Sequence, residues 1–181
     1  DGIKWTKRKS GTKRTLYGVT YGNNTFVAVG KQGTIITSSD GTKWTRRKSR
    51  TSLEFNEVIY ANKTFLAFGY KGVIRTSSNG KSWIKRKSGT KKSLNGATYV
   101  NFTFVAVGHT GTILSSLKGK SWTKNKSGTK KNLRGIAYGN GKFVMVGNDG
   151  TIRSSTDLTT WYKKKSGTSE HLRRVFFEVL N

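Results

Sequence analysis

The sequence predicts an all-β fold, a β-propeller of four-stranded antiparallel blades, and three observations carry that prediction. Trp5, Trp44, Trp83, Trp122 and Trp161 stand 39 residues apart at every step. The same period governs other registers: Tyr21, Tyr60, Tyr99, Tyr138 and Phe177; Phe26, Phe65, Phe104 and Phe143; Gly30, Gly69, Gly108 and Gly147; Gly33, Gly72, Gly111 and Gly150; Ile35, Ile74, Ile113 and Ile152. No stretch of ten residues shows the apolar spacing of a helix. A fixed period with this many matched positions marks stacked units, none of which buries its apolar face alone. Four short strands in about 40 residues is the size of a propeller blade.

Each repeat reads as four strands in order. The first, Leu16 to Tyr21, alternates apolar with small or polar residues, and Gly22-Asn23-Asn24 then turns the chain with residues that tolerate positive φ. The second, Phe26 to Val29, is a continuous apolar run, the pattern of a strand buried on both faces. After Gly30-Lys31-Gln32-Gly33 comes the third, Thr34 to Ser38; the turn Ser39-Asp40-Gly41 leads into the fourth, Lys43 to Lys48.

Counting strands leaves a remainder. The first and fourth occur five times, the second and third only four. Residues 1–181 therefore form one domain with four complete blades between Leu16 and Lys165. Residues 1–10 supply an extra outer strand and residues 172–181 an extra inner one. Pairing of the two termini would make a thin closing blade, giving five blade positions. The alternatives are pairing with another molecule, hence an oligomer through the incomplete blade, or a chain that is a fragment of a larger propeller.

Near the turns that follow the third strands, Ser38, Asp40, Gly41 and Trp44 resemble the Asp-box (BNR) repeats of the propeller superfamily that includes sialidase-like proteins and photosystem II assembly factors. The pattern recurs at Ser77, Asn79, Gly80 and Trp83. It is one residue shorter than the family's box, and it departs further at Lys118 and at Asp157-Leu158. The resemblance implies a propeller in which this box is a structural turn.

The 181 residues suffice for a real core. Without Cys or Pro, neither disulfides nor thiolate metal sites can hold the chain, and its redox compartment is left open. Apolar runs such as Phe26-Val27-Ala28-Val29 are too short to span a bilayer. The resemblance favours a secreted setting, while the residues themselves leave localisation undetermined.

Thirty-five Lys and Arg against eight Asp and Glu leave a net charge of +27, more than solubility requires. Such a field attracts polyanions: nucleic acid, acidic glycans, anionic surfaces or acidic proteins. The charge follows the repeat. The second to fourth residues after each Trp are Lys7-Arg8-Lys9, Arg46-Arg47-Lys48, Lys85-Arg86-Lys87, Lys124-Asn125-Lys126 and Lys163-Lys164-Lys165. On the outermost strand of each blade these make a cationic rim. Lys on edge strands also blocks edge-to-edge pairing, although one per strand would do so.

A second basic set, Lys13, Arg14, Lys91, Lys92, Lys130 and Lys131, lies in loops that join one blade to the next. These loops share a face with the divergent turns Lys31-Gln32, Tyr70-Lys71, His109-Thr110 and Asn148-Asp149. Along the axis, Tyr17, Asn56, Asn95, Arg134 and Arg173, followed by Arg174, make a ring that either binds a carboxylate or phosphate or lines a water-filled channel.

Catalysis is not expected. The sialidase-like catalytic set of arginines, an acid and a Tyr–Glu pair has no residue-by-residue match. With Asp1, Asp40 and Asp157 at turn positions, Glu54, Glu57, Asp149, Glu170 and Glu178 are what remains for carboxylate chemistry. Glu57 lies on a first strand without a matching second carboxylate. His109 and His171 fall in unrelated repeat positions, a poor metal site, and no cofactor motif is present.

The reading is a non-catalytic binding module for a polyanion or acidic surface, with no cofactor. Alternatives are a lectin-like propeller, in which Trp or Tyr would stack on sugars, and a protein-interaction scaffold. Nucleic acid would be bound through phosphate, without sequence preference.

Overall fold

The computed structural model describes residues 3–177. Among them, four antiparallel sheets of four strands follow one another along the chain. The first blade is β1 (Leu16–Gly22), β2 (Thr25–Gly30), β3 (Thr34–Ser38) and β4 (Thr45–Arg46). The second is β5 (Phe55–Ala61), β6 (Thr64–Gly69), β7 (Ile74–Ser77) and β8 (Ile84–Arg86). The third is β9 (Leu94–Val100), β10 (Thr103–Gly108), β11 (Ile113–Ser116) and β12 (Thr123–Asn125). The fourth is β13 (Leu133–Gly139), β14 (Lys142–Gly147), β15 (Ile152–Ser155) and β16 (Tyr162–Lys164). Strand order within each sheet is the chain order, so every connection is a hairpin. The fold is a four-bladed, all-β propeller.

Packing between blades follows the strand pattern. Val27, Val29 and Ile35 of the first blade meet Phe55, Val58, Phe65 and Trp83 of the second. Leu66, Phe68 and Ile74 meet Leu94, Phe104 and Leu114 of the third in the same way. Val105, Val107 and Ile113 meet Leu133, Ile136, Phe143 and Trp161 of the fourth. A central strand such as β6 is apolar on both faces because Phe65 and Ala67 pack on the blade before it and Leu66 and Phe68 on the blade after it.

Each first strand carries a β-bulge at one place, between Leu16 and Gly18, between Phe55 and Glu57, beside Leu94, and between Leu133 and Gly135. The residue left out of the ladder is Tyr17, Asn56, Asn95 or Arg134, and a bulge re-aims its side chain. The second residue of the turn between second and third strands adopts a left-handed conformation at Gln32, Lys71, Thr110 and Asp149. Gly33 follows, also left-handed, with Thr51 O so close that any Cβ would overlap it.

Two features depart from the strand pattern. Arg75 and Arg153 stand on third strands where the first and third blades have Ile36 and Leu114. Arg75 is buried and donates to the carbonyls of Ser49 (2.9 Å), Arg50 (3.1 Å) and Ile74 (3.2 Å). It thus ties the loop between blades to β7.

The described parts of the two terminal pieces pack against the blades beside them. Among the described residues, 3–10 and 172–177 belong to none of the four sheets. The remainder of the two expected strands, residues 1–2 and 178–181, lies outside the described residues. The Leu172 amide donates to Gly147 O (3.0 Å), and Glu170 O accepts from the Gly150 amide (2.7 Å). Further along, the Val175 backbone crosses Gly135 and the Phe177 ring covers Gly139. Tyr60 covers Gly22 in the same manner between the first two blades. At the other end, Ser10 Oγ donates to Thr12 O (3.0 Å), a turn repeated at Ser49, Ser88, Ser127 and Ser166.

Candidate binding surface

The Asp-containing turn shapes the chain before each outer strand. Asp40 Oδ1 accepts from the amides of Thr42 (2.8 Å) and Lys43 (3.1 Å) and from Ser38 Oγ (2.9 Å). The Thr42 hydroxyl and these donors hold the Asp40 carboxyl well below the usual carboxylate range. Asp157 is bound likewise to Thr159, Thr160 and Ser155 and is lowered likewise. Asn79 substitutes an amide oxygen at the same place. In these three turns the Trp Nε1 donates to a turn carbonyl: Trp44 to Gly41 O (3.1 Å), Trp83 to Gly80 O (2.8 Å), Trp161 to Leu158 O (3.1 Å). The third turn carries Lys118 instead, and Trp122 Nε1 is buried with no acceptor. Its ring turns edge-on to Phe68 at 5.5 Å.

The outer strands carry the basic triplets, and their three positions are not equivalent. Arg47 Nε donates to Thr37 Oγ1 (2.8 Å), Arg86 Nε to Thr76 Oγ1 (2.9 Å) and Asn125 Nδ2 to Ser115 Oγ (2.9 Å). The middle residue thus folds back onto its own third strand, and Asn125, the one uncharged member, makes the same anchor. Arg46, Lys48, Lys85, Lys87, Lys124 and Lys126 flank it and are exposed. Lys163, Lys164, Lys165 and, in the N-terminal piece, Lys7, Arg8 and Lys9 are exposed throughout.

Loops between blades and turns between second and third strands share one face. Arg14 Nη1 reaches Gln32 O (3.3 Å), and Lys131 Nζ binds Asp149 Oδ2 (2.5 Å), with His171 Nδ1 3.6 Å from Oδ1. The Lys131 hydrogen bond is the main reason the Asp149 carboxyl lies below its ordinary range. Lys13, Lys91, Lys92 and Lys130 are exposed beside them.

On the axis of that face the bulge residues open a cavity of about 450 Å³, lined by Tyr17, Asn56, Asn95, Arg134, Arg173 and Arg174 with Glu54, Tyr70, Ser93 and His109. Four of the lining side chains already have partners, Asn56, Asn95, Arg134 and Arg174. Asn56 Nδ2 donates to Leu94 O (2.9 Å) and Asn95 Nδ2 to Leu133 O (2.8 Å), so each amide ties its blade to the next. Arg134 Nε donates to Asn148 Oδ1 (2.8 Å). Burial, followed by the charges of Arg134 and Lys92, pushes the His109 imidazole below its ordinary value.

Deeper in, Glu57 is paired. Arg174 Nη1 donates to Glu57 Oε2 (3.2 Å), while Arg174 Nη2 donates to Tyr17 O (3.2 Å). Burial raises the Glu57 pKa; Arg174 and the Val58 amide oppose that shift. Among the described residues no group of three His, Asp or Glu side chains is placed to hold a metal ion.

The residues that sequence reasoning missed are the anchors: Arg75, the inward role of Arg47 and Arg86, and the Glu57–Arg174 pair. For that pair a signal existed, since both interrupt a register otherwise held by Gly18, Gly96 and Gly135.

Fold and surface together define a basic β-propeller. No protein-family model matches the chain, and no curated protein sequence matches it. Solved propellers do. A structure of YCF48 bound to D1 peptide is similar at TM-score 0.72 and 18% identity, over 92% of this chain and 58% of that one. YCF48 from Cyanidioschyzon merolae gives TM-score 0.72 and 15% identity, over 90% of this chain and 60% of that one. Virginiamycin B lyase from Staphylococcus aureus gives 0.74 and 11%, over 88% and 58%. The chain spans less than two thirds of each. At these identities the likeness is one of fold.

Proposed function

We propose that the chain is a non-catalytic binding module that engages an acidic macromolecular partner through its rim and its loop face. One observation carries this reading: apart from the half-buried Arg47 and Arg86, the rim cations are exposed, and none of them is neutralised. Among the described residues three ion pairs occur, and none involves a rim Lys or Arg. The described carboxylates are elsewhere, with Asp40 and Asp157 in turns, Glu57 on Arg174 and Asp149 on Lys131. Charge that is neither buried nor paired repels itself in the free protein, and an anionic partner relieves that repulsion. The axial mouth adds the guanidinium groups of Arg134 and Arg173 to the same face, beside Arg174, which is held by Glu57.

A protein partner is favoured over a sugar. Three of the Trp side chains are engaged by their own turns and packed near Phe26, Phe65 and Phe143, which leaves their rings poorly placed to stack on a sugar. One of the similar folds carries a peptide in its structure. No helix among the described residues is long and apolar enough to cross a membrane.

The test is retention on heparin and on an immobilised poly-Glu peptide, against a neutral glycan array. Retention on both anionic supports that falls with salt, with no neutral-glycan signal, supports the reading. Elution at low salt from both, or saturable binding to a neutral sugar, overturns it.

A further inference from the structure

We infer that the rim cleft between the first and second blades anchors an extended acidic peptide segment, with Arg50 as the residue that selects it. This names the partner's chemistry within the proposed function and rests on that function. The starting point is a break in the repeat. Each outer strand runs into a Ser-x-Thr turn whose middle residue is left-handed: Gly11, Arg50, Gly89, Gly128 and Gly167, with φ between 55° and 73°. Four copies use glycine, which adopts this conformation freely. Arg50 holds it at a cost in backbone strain.

Arg75 supports that exception. Its Nη2 donates to Arg50 O (3.1 Å) and its Nε to Ser49 O (2.9 Å), so a buried guanidinium fixes the turn. Arg153, at the same register of the fourth blade, is placed differently. Its Nη1 donates to Trp161 O (3.2 Å) and lies 2.9 Å from where a Cβ on Gly128 would stand. A side chain at 128 would meet that guanidinium. Beside residue 50 the guanidinium turns to the backbone instead, and the Arg50 side chain is exposed.

Arg50 borders two cavities along this one junction. The first, of about 420 Å³, is lined by Arg46, Lys48 and Arg50 with Lys81, Trp83 and Ile84 of the second blade. The other, of about 650 Å³, continues from Arg50 to Leu53, Lys71, Val73, Lys87 and Lys91. No Asp or Glu lines either cavity, and none of the three ion pairs among the described residues involves their cations.

The walls select the occupant. Guanidinium groups present planar forks that match carboxylates two bonds at a time. Ile84, 55% exposed, stands among these cations, and Leu53 and Val73 lie in the adjoining cavity. These are apolar contacts that a leucine between acidic residues satisfies and a phosphate or sulfate group does not. A second copy of this chain, at net charge +27, is repelled.

The probe is a synthetic peptide of four Glu-Glu-Leu triplets, titrated into the full chain. Saturable one-to-one binding is expected, with NMR shift changes at Ile84 and at the Trp83 indole. Arg50→Gly restores the residue of the other turns and should weaken binding about tenfold or more, since charge-assisted hydrogen bonds are lost. Its melting temperature should not fall, because glycine relieves the left-handed strain. Lys124→Gln removes one exposed charge from the rim of the third blade and should keep the affinity within about twofold. Heparin retention should be alike in the two variants, each lacking one of 35 basic residues. Wild-type protein that is retained on heparin and poly-Glu but does not bind the peptide saturably would overturn the cleft and leave the proposed function standing. Loss of retention on both supports would overturn both. Equal affinity in R50G and K124Q also defeats the inference. So does an oligonucleotide that displaces the peptide and depends as strongly on Arg50, because the occupant would then be a phosphate chain.

Discussion

Glu57 and Arg174 occupy the same position of the 39-residue repeat and face each other across the first blade at 3.2 Å. The other copies have Gly18, Gly96 and Gly135 there, where inner strands approach so closely that a Cβ would press on the neighbouring backbone. The carboxylate beside the axis and the guanidinium from the chain's end thus replace two glycines and join the C-terminal segment to the second blade.

That pair has a pH signature. Burial raises the folded-state pKa of Glu57 above its ordinary 4.5. The folded protein therefore holds this proton more tightly than the unfolded chain. The contribution to stability is fully present below about 4.5 and is lost as pH rises through the folded value. Glu57→Gln keeps the shape and removes the titration. Melting temperature measured from pH 4 to 8 should fall less with rising pH in the variant than in the wild type.

The third blade supplies a gain-of-stability prediction. Lys118→Asp should give Ser116 and the following amides the acceptor that Asp40 provides in the first blade. Trp122 Nε1 should then find Gly119 O, as Trp44 finds Gly41 O. An unpaired buried donor costs about 1–3 kcal/mol. Thermal denaturation should show a higher midpoint, and the Trp122 indole proton should shift downfield in an NMR spectrum.

Rim positions should divide into two kinds. Arg46→Glu/Lys48→Glu reverses exposed charges and should flatten the salt dependence of binding to a polyanion. On duplex DNA each lost phosphate contact removes about 0.9 from the log–log slope. Arg47→Ala instead removes the bond to Thr37 Oγ1. It should lower the melting temperature by more than the double reversal does, which calorimetry of both proteins checks.

Arg75→Leu tests a buried anchor. Leu stands at this register in the third blade as Leu114, yet here Arg75 satisfies the Ser49, Arg50 and Ile74 carbonyls. Losing these donors should destabilise the fold by about 1–3 kcal/mol, read from urea denaturation at constant m-value.

Much of this architecture is legible in the residues themselves. Alternation in residues 16–21, the apolar run at 26–29 and the regular Trp spacing prescribe strands and blades, because strand formation and turn choice depend on residues a few positions apart. The outward charge of Arg46 and Lys48 followed from the same register. The inward turn of Arg47 did not, since three consecutive basic residues look alike until the third strand places Thr37 within hydrogen-bond reach. The register also put Tyr17, Asn56, Asn95 and Arg134 along the axis, but not the bulge that aims them, which is a property of strand pairing. Asn56 and Asn95 proved to be ties between blades, a role that depends on a carbonyl 38 residues away.

By itself, then, the sequence determined the repeat, the four strands of each copy and the excess of positive charge. Only the tertiary structure decided which equivalent residues are covered and which are left open. Val19 and Val58 sit in the same local pattern, but Val58 is buried against the first blade and Val19 is 62% exposed. Burial belongs to the neighbour a side chain meets, and only the packing of blade on blade settles that neighbour.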